Sequence, residues 1–213
     1  MFENDVMSRV QARPAVQRRG RERRRAILDA AEALLAEEGY EAATLKAIGE
    51  RAGIPIASVY HYFSDRHQVE VELMVRYVRE LDARIGTLLA APRAQTLGEA
   101  VDAALASVLD YFRAHPCCVE LWFSGRGPIV PDLVLAFDRA QAARLWRHLV
   151  ARGLVRPGTP ELVLRLACEA AGKLVDRAFR RSREGDEATL REARRLLVAY
   201  LSTYAPDGPR AGG

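Results

Sequence analysis

The stretch Thr44-Leu45-Lys46-Ala47-Ile48-Gly49-Glu50-Arg51-Ala52-Gly53-Ile54-Pro55-Ile56-Ala57-Ser58-Val59-Tyr60-His61-Tyr62-Phe63 decides the fold. Thr44 is a helix start signal, because its hydroxyl can accept from a backbone N–H two or three residues on. Leu45, Ile48 and Ala52 then recur at i, i+3 and i+7, a narrow apolar stripe. Gly53 supplies the positive φ that ends this helix. Pro55 suits the first turn of the next one, where its missing N–H matters little. Val59 and Phe63 repeat at i, i+4 and can close over the first helix. Two short helices joined by a tight glycine turn form the helix-turn-helix frame, which lays its second helix in the DNA major groove.

Toward the N-terminus, Ile27, Leu28, Ala31, Leu34 and Leu35 form the apolar face of a helix running from about residue 18 to Glu38, with Gly39 as its cap. Residues 1–17 read as a disordered basic arm, being polar, charged and interrupted by Pro14. Residues 9–25 hold eight arginines against a single acid, Glu22, whereas residues 40–66 carry Lys46, Arg51 and Arg66 against Glu41, Glu50 and Asp65 and are neutral. Strong sequence-independent attraction to phosphate must therefore come from the arm. The arginines also crowd the expected start of the helix, where the macrodipole disfavours cations. A nearby phosphate would explain that, and so would a solvated charge run.

Toward the C-terminus every element reads as helical, and no stretch alternates at period two for long enough to be a strand. Ser64 or Asp65 can cap a long helix ending near Pro92, with Val69, Leu73, Val78, Leu81, Ile85 and Leu88 inward. Thr96 can cap a helix from Leu97 to about His115. A short apolar segment, Cys117 to Phe123, leads to the loop Ser124-Gly125-Arg126-Gly127-Pro128. Pro131 starts a helix that Gly153 terminates. Two more helices follow, from Glu161 to about Arg181 and from Asp186 to about Tyr204. The expected class is all-α. Its domains are a helix-turn-helix unit over 18–64, a larger helical ligand-binding and dimerisation unit over 65–204, and a flexible tail over 205–213.

Composition narrows the function classes. The chain has 213 residues, 49% hydrophobic and 28% charged, with a formal net charge of +4. It is long enough to bury a real core. The absence of an 18-residue apolar run and of a signal-like N-terminus predicts no membrane span and a cytoplasmic location. Three cysteines, Cys117, Cys118 and Cys168, make no disulfide framework. His115, Cys117, Cys118 and Glu120 do not follow a usual zinc spacing, so no metal and no cofactor are expected. No nucleophile–base pair or glycine-rich phosphate loop stands out, so no enzyme is expected.

The run Ile27-Leu28-x-Ala30-Ala31, Gly39-Tyr40, Thr44, Ile48, Ala52-Gly53-Ile54, Ser58-Val59-Tyr60-His61-Tyr62-Phe63 and Arg66 resembles the N-terminal domain of the TetR family of transcriptional regulators. The resemblance covers about residues 18–75; beyond it, only the all-helical character and the length agree. It implies a homodimer with two reading heads on a pseudo-palindromic double-stranded operator, and a small-molecule effector that releases a repressor from DNA. Position by position, Thr44 and Lys46 match phosphate or base contacts. Ile56, Ala57 and Ser58 match the exposed start of the recognition helix. Tyr60, His61 and Tyr62 match an aromatic cluster on the backbone, and Arg66 matches a phosphate-gripping base. Pro55 departs from the usual capping serine or threonine. Ile56 and Ala57 cannot hydrogen-bond base edges, so readout should rest on Lys46, Ser58, Tyr60 and DNA shape.

In the downstream domain Phe112, Trp122, Phe123 and Phe137 are either core or pocket wall. Glu120, Gln141 and Glu169 lie on or beside apolar faces and are candidates to orient a ligand; salt-bridged surface positions would look the same. The small residues Ala167, Ala170 and Ala171, with the seam of Leu197, Tyr200, Leu201 and Tyr204, fit a four-helix dimer interface. The same spacing fits an intrachain core. The rival function is an all-helical small-molecule carrier or enzyme with a vestigial head.

Overall fold

The computed structural model describes the backbone of residues 3–91, 94–124 and 129–206, and side chains from residue 18 onward except Ser124. Pro92, the loop over 125–128 and the tail over 207–213 lie outside the described residues. Among those described there is no strand, and no helix is long and apolar enough to cross a membrane. The elements are α1 (Glu3–Glu38), α2 (Leu45–Ala52), α3 (Ile56–Tyr62), α4 (Arg66–Ala90), α5 (Leu97–Ala114), α6 (Pro116–Ser124), α7 (Ile129–Ala151), α8 (Glu161–Arg181) and α9 (Glu187–Ser202). The chain forms two compact units, Met1–Leu73 and Met74–Gly213.

In the first unit, Ile27, Ala31, Leu34 and Leu35 of α1 bury against Leu45 and Ile48 of α2, Val59 of α3 and Phe63. Val69 and Leu73 of α4 belong to this core. The unit therefore ends about two turns beyond the residue 64 boundary expected from the sequence, because the start of α4 carries its own share of apolar side chains. Arg24 reaches from α1 to Glu72 of α4, with its Nε donating at 2.8 Å, and lies over the Phe63 ring. The start of α4 is capped as its sequence predicts: the Asp65 carboxylate accepts from the Gln68 N–H at 2.9 Å. That bond holds the carboxyl below its usual range.

One expectation is corrected here. Residues 3–17, read as a disordered arm, continue α1. Arg, Gln and Ala, all good helix formers, supply six of its fifteen residues, and charge alone does not oppose a helix. Pro14 removes one backbone hydrogen bond without ending it. The arginines of residues 18–25 thus lie deep inside a helix, not at its start. The macrodipole acts only over the first and last turns, so the dipole argument for a bound anion falls. Their charge density remains.

The second unit is built on the packing of α8 with α9, α7 with α8, and α5 with α9. Leu97, Val101, Leu149, Val155, Val163, Leu164, Ala167, Leu197 and Leu201 form a buried cluster. Thr96 and Glu99 make a reciprocal capping box on α5. Arg156 bonds the carbonyls of Thr203 and Ala205 at 2.8 and 2.7 Å, satisfying groups that the end of α9 would leave orphaned. Helix α7 begins at Ile129, two residues before the expected Pro131. Proline is tolerated there because the first turn has no intrahelical partner for its N–H.

Candidate functional site

The α2–α3 corner is set by local chemistry. Thr44 Oγ1 accepts from the Ala47 N–H at 3.2 Å. Gly53 takes φ 65° and its N–H returns to the Glu50 carbonyl, closing α2. Gly49 allows the two helices to meet: a Cβ there would lie 3.0 Å from the Ile54 carbonyl oxygen and 3.1 Å from Val59 Cγ2. Pro55 stands at the N-cap of α3 and makes no side-chain cap, as its identity dictates. With Val59 fully buried, the rest of α3 is turned outward: Ile56, Ala57 and His61 are exposed, Ser58 and Tyr62 are half-buried, and Tyr60 is 57% exposed. Lys46 projects from α2, 3.9 Å from Glu50. A short helix with one buried face and an aromatic, hydroxyl-bearing outer face suits insertion into a groove.

Arg66, expected to grip phosphate, has partners within its own unit. Its guanidinium stacks over the Tyr40 ring at 3.8 Å, donates to the Tyr40 carbonyl at 3.0 Å and pairs with buried Glu70 at 3.3 Å. It therefore braces the α1–α2 connection against α4. The sequence hid this because Tyr40 is remote in the chain. Helix α1 presents further basic surface, with Arg18, Arg19, Arg21, Arg23 and Arg25 exposed.

The second unit encloses a cavity of about 530 Å³. Of the seven expected ligand residues, Phe112, Trp122, Phe123, Phe137 and Gln141 line it. The aromatic rings pack edge to face, Phe112 with Trp122 at 5.5 Å and Trp122 with Phe137 at 5.4 Å. Glu120 and Glu169 do not line it; both are on the exposed faces of their helices. Sequence reading missed Asp138 and His148, which line the cavity with Gln141 and Leu145. Their signal was present: 138, 141, 145 and 148 share one face of α7. Burial, assisted by the Glu169 charge and opposed by Lys173, pushes the Asp138 carboxyl up to about 6. Burial and the charge of Arg152 lower His148, favouring its neutral form. Burial, with Asp138 and Glu169, pushes the Cys168 thiol up to about 12, which leaves it unreactive.

The residues of the dimer seam expected on α8 and α9 fall in different surroundings. Ala167, Leu197 and Leu201 are buried within their own chain and, with Ala171, line the cavity; Tyr200 and Tyr204 pack on the same cluster and Ala170 is half-buried. The small residues Ala167, Ala171 and Gly172 of α8 line the cavity. The exposed apolar residues lie on other faces: Leu162 and Leu166 on α8 are 48% and 45% exposed, and Leu196 on α9 is 44% exposed. His115, Cys117, Cys118 and Glu120 differ in surroundings. His115 stacks with Tyr111 at 4.4 Å, the two cysteines are buried, and Glu120 is exposed.

Comparison with known proteins adds identity to this geometry. The family model described as bacterial regulatory proteins, tetR family, matches residues 27–70. A second, described as the tetracyclin repressor-like C-terminal domain, matches residues 96–201, extending the likeness well past the N-terminal unit. The HTH-type transcriptional repressor KstR of Rhodococcus jostii is 38% identical over 64 residues, which is 30% of this chain and 30% of KstR. The match thus spans under a third of that relative. The HTH-type transcriptional regulator BetI of Cronobacter sakazakii is 26% identical over 84% of this chain and 89% of its own. A crystal structure of a TetR-family transcriptional regulator from Streptomyces coelicolor shares 32% identity, covers 85% of this chain and 99% of its own, and superposes with a TM-score of 0.58. With its capped α2–α3 corner, its outward α3 face and this likeness along its length, the chain belongs to the TetR family of DNA-binding transcriptional regulators.

Proposed function

We propose that the protein is a homodimeric repressor that a small molecule releases from a pseudo-palindromic operator, acting in the cytoplasm. The observation that carries the reading is the continuity of α4. Its first turns supply Val69 and Leu73 to the core of the reading unit, and its later turns supply Leu81, Ile85, Leu88 and Leu89 to the cavity wall. A ligand that alters the cavity end of this helix has a covalent route to the head, and shifts the population toward whichever arrangement it binds better. Thr44, Lys46, Ser58, Tyr60, His61 and Tyr62 face DNA in this reading, Ile56 and Ala57 meet thymine methyls or shape the fit, and the α1 arginines supply phosphate contacts. Leu162, Leu166 and Leu196 supply the apolar centre of an isologous dimer face. Two heads then enter successive major grooves about 34–36 Å apart.

The test is selection from a random duplex pool, followed by titration of the selected site at several salt concentrations. Enrichment of an inverted repeat, bound as a dimer with affinity falling steeply with salt, supports the reading. Failure to prefer any sequence over random duplex refutes it.

A further inference from the structure

The cavity's polar groups are unusual in kind. Its lining is mostly aliphatic and aromatic, with Thr87, Asp138, Gln141, His148 and Cys168 as the polar exceptions and, among the described residues, no lysine or arginine. Gln141 is only 5% exposed. Its Nε2 donates to Asp82 Oδ1 at 2.7 Å, and Arg144 donates to that same carboxylate oxygen. The amide is therefore oriented with its nitrogen on Asp82, and its Oε1 is buried with no hydrogen-bond partner. A buried acceptor left open in this way is costly unless something donates to it. One turn earlier on the same helix face, Asp138 presents a carboxyl to the same space. Burial and the Glu169 charge, opposed by Lys173, hold the Asp138 carboxyl near 6, so it too gains from a further positive neighbour. Both groups accept, neither is answered by a cation in the lining, and the aromatic rings of Phe112, Trp122 and Phe137 surround an apolar space.

We infer that the effector is a lipophilic amine, an apolar body with an aromatic or aliphatic bulk and a protonated N–H group seated between Gln141 Oε1 and the Asp138 carboxylate. This rests on the effector reading above and narrows it to a chemical class. Carboxylates are disfavoured, since the wall would place acceptor against acceptor and charge against like charge. An alcohol satisfies one acceptor without the charge-assisted bond, which is about twice as strong as a neutral one.

The test uses three probes with one carbon skeleton, 4-phenylbutylamine, 4-phenylbutan-1-ol and 4-phenylbutyrate, titrated into the full-length protein by calorimetry and by tryptophan fluorescence. The expected order is amine, then alcohol, then acid, with the amine about tenfold or more tighter than the alcohol. Asp138→Asn and Gln141→Leu, each checked for native helix content, should collapse the amine-to-alcohol ratio toward one. Acid binding as tight as amine binding, or an undiminished ratio in both variants, overturns the assignment. Alcohol binding with no amine preference overturns it while sustaining the cavity as an effector site. Binding of none of the three overturns the amine assignment and leaves the operator reading to the duplex selection.

Discussion

Replacing Asp138 with asparagine probes the electrostatics of the cavity with almost no change of shape. The carboxyl titrates ordinarily near 3.8 and is pushed up to about 6 in the folded chain, first by burial and then by the Glu169 charge. Below 3.8 both folded and unfolded states hold the proton, and the group contributes nothing. As pH rises from there toward about 6 the unfolded chain ionises first, so stability falls; above about 6 the loss is complete. The gap is worth about 3 kcal/mol at pH 8 at about 1.4 kcal/mol per tenfold, and about half that at pH 5. Asparagine cannot ionise and escapes this loss. The variant's stability relative to the parent should therefore rise by about 1.5 kcal/mol between pH 5 and pH 8. Urea unfolding followed by helix circular dichroism at pH 5, 6.5 and 8, at one ionic strength, measures it. A difference independent of pH, or one growing toward acid, would refute the reasoning. The parent residue thus destabilises the empty protein at neutral pH, which makes sense where a cationic ligand relieves it.

Thr44→Ala removes the hydroxyl that caps α2 and should lower unfolding free energy by about 1 kcal/mol, with a parallel loss of operator affinity; denaturant titration and fluorescence anisotropy report the two. Gly49→Ala should weaken operator binding although alanine favours helix, because its Cβ would press on the rigid Ile54 carbonyl and wedge α3 from α2; unchanged affinity in anisotropy would contradict the close approach. Leu166→Glu together with Leu196→Glu should convert dimer to monomer in analytical ultracentrifugation without loss of helix, since both side chains are exposed in the single chain. Tyr60→Ala should change which sequence is selected. Joint replacement of Arg18, Arg19, Arg21 and Arg23 by alanine should weaken all duplexes alike and flatten the salt slope by about 0.9 for each phosphate no longer neutralised. Equal loss of specificity in both would contradict that division.

Much of the reading head was legible because its determinants are local. A capping hydroxyl bonds three residues on, a glycine takes a left-handed φ where the chain must turn, and Val59 and Phe63 share a face at one-turn spacing. Thr44, Gly53, Pro55, Val59 and Phe63 all fall where their own chemistry sends them. The aromatic wall of the cavity was legible for a related reason: large rings at helical spacing must face an interior, and Phe112, Trp122, Phe123 and Phe137 do. Tertiary structure alone decided the rest. Arg66 binds a carbonyl 26 residues away, which no spacing rule reveals. Glu120 and Glu169 are exposed while Asp138 and Gln141 meet the cavity, a choice made by how α6, α7 and α8 pack on their neighbours. The stripes on α8 and α9 satisfy an intrachain core and a dimer seam equally well as sequence. Packing sends Ala167, Leu197 and Leu201 inward and leaves Leu162, Leu166 and Leu196 exposed, because burial is a property of neighbours brought together by the whole chain, not of any one helix.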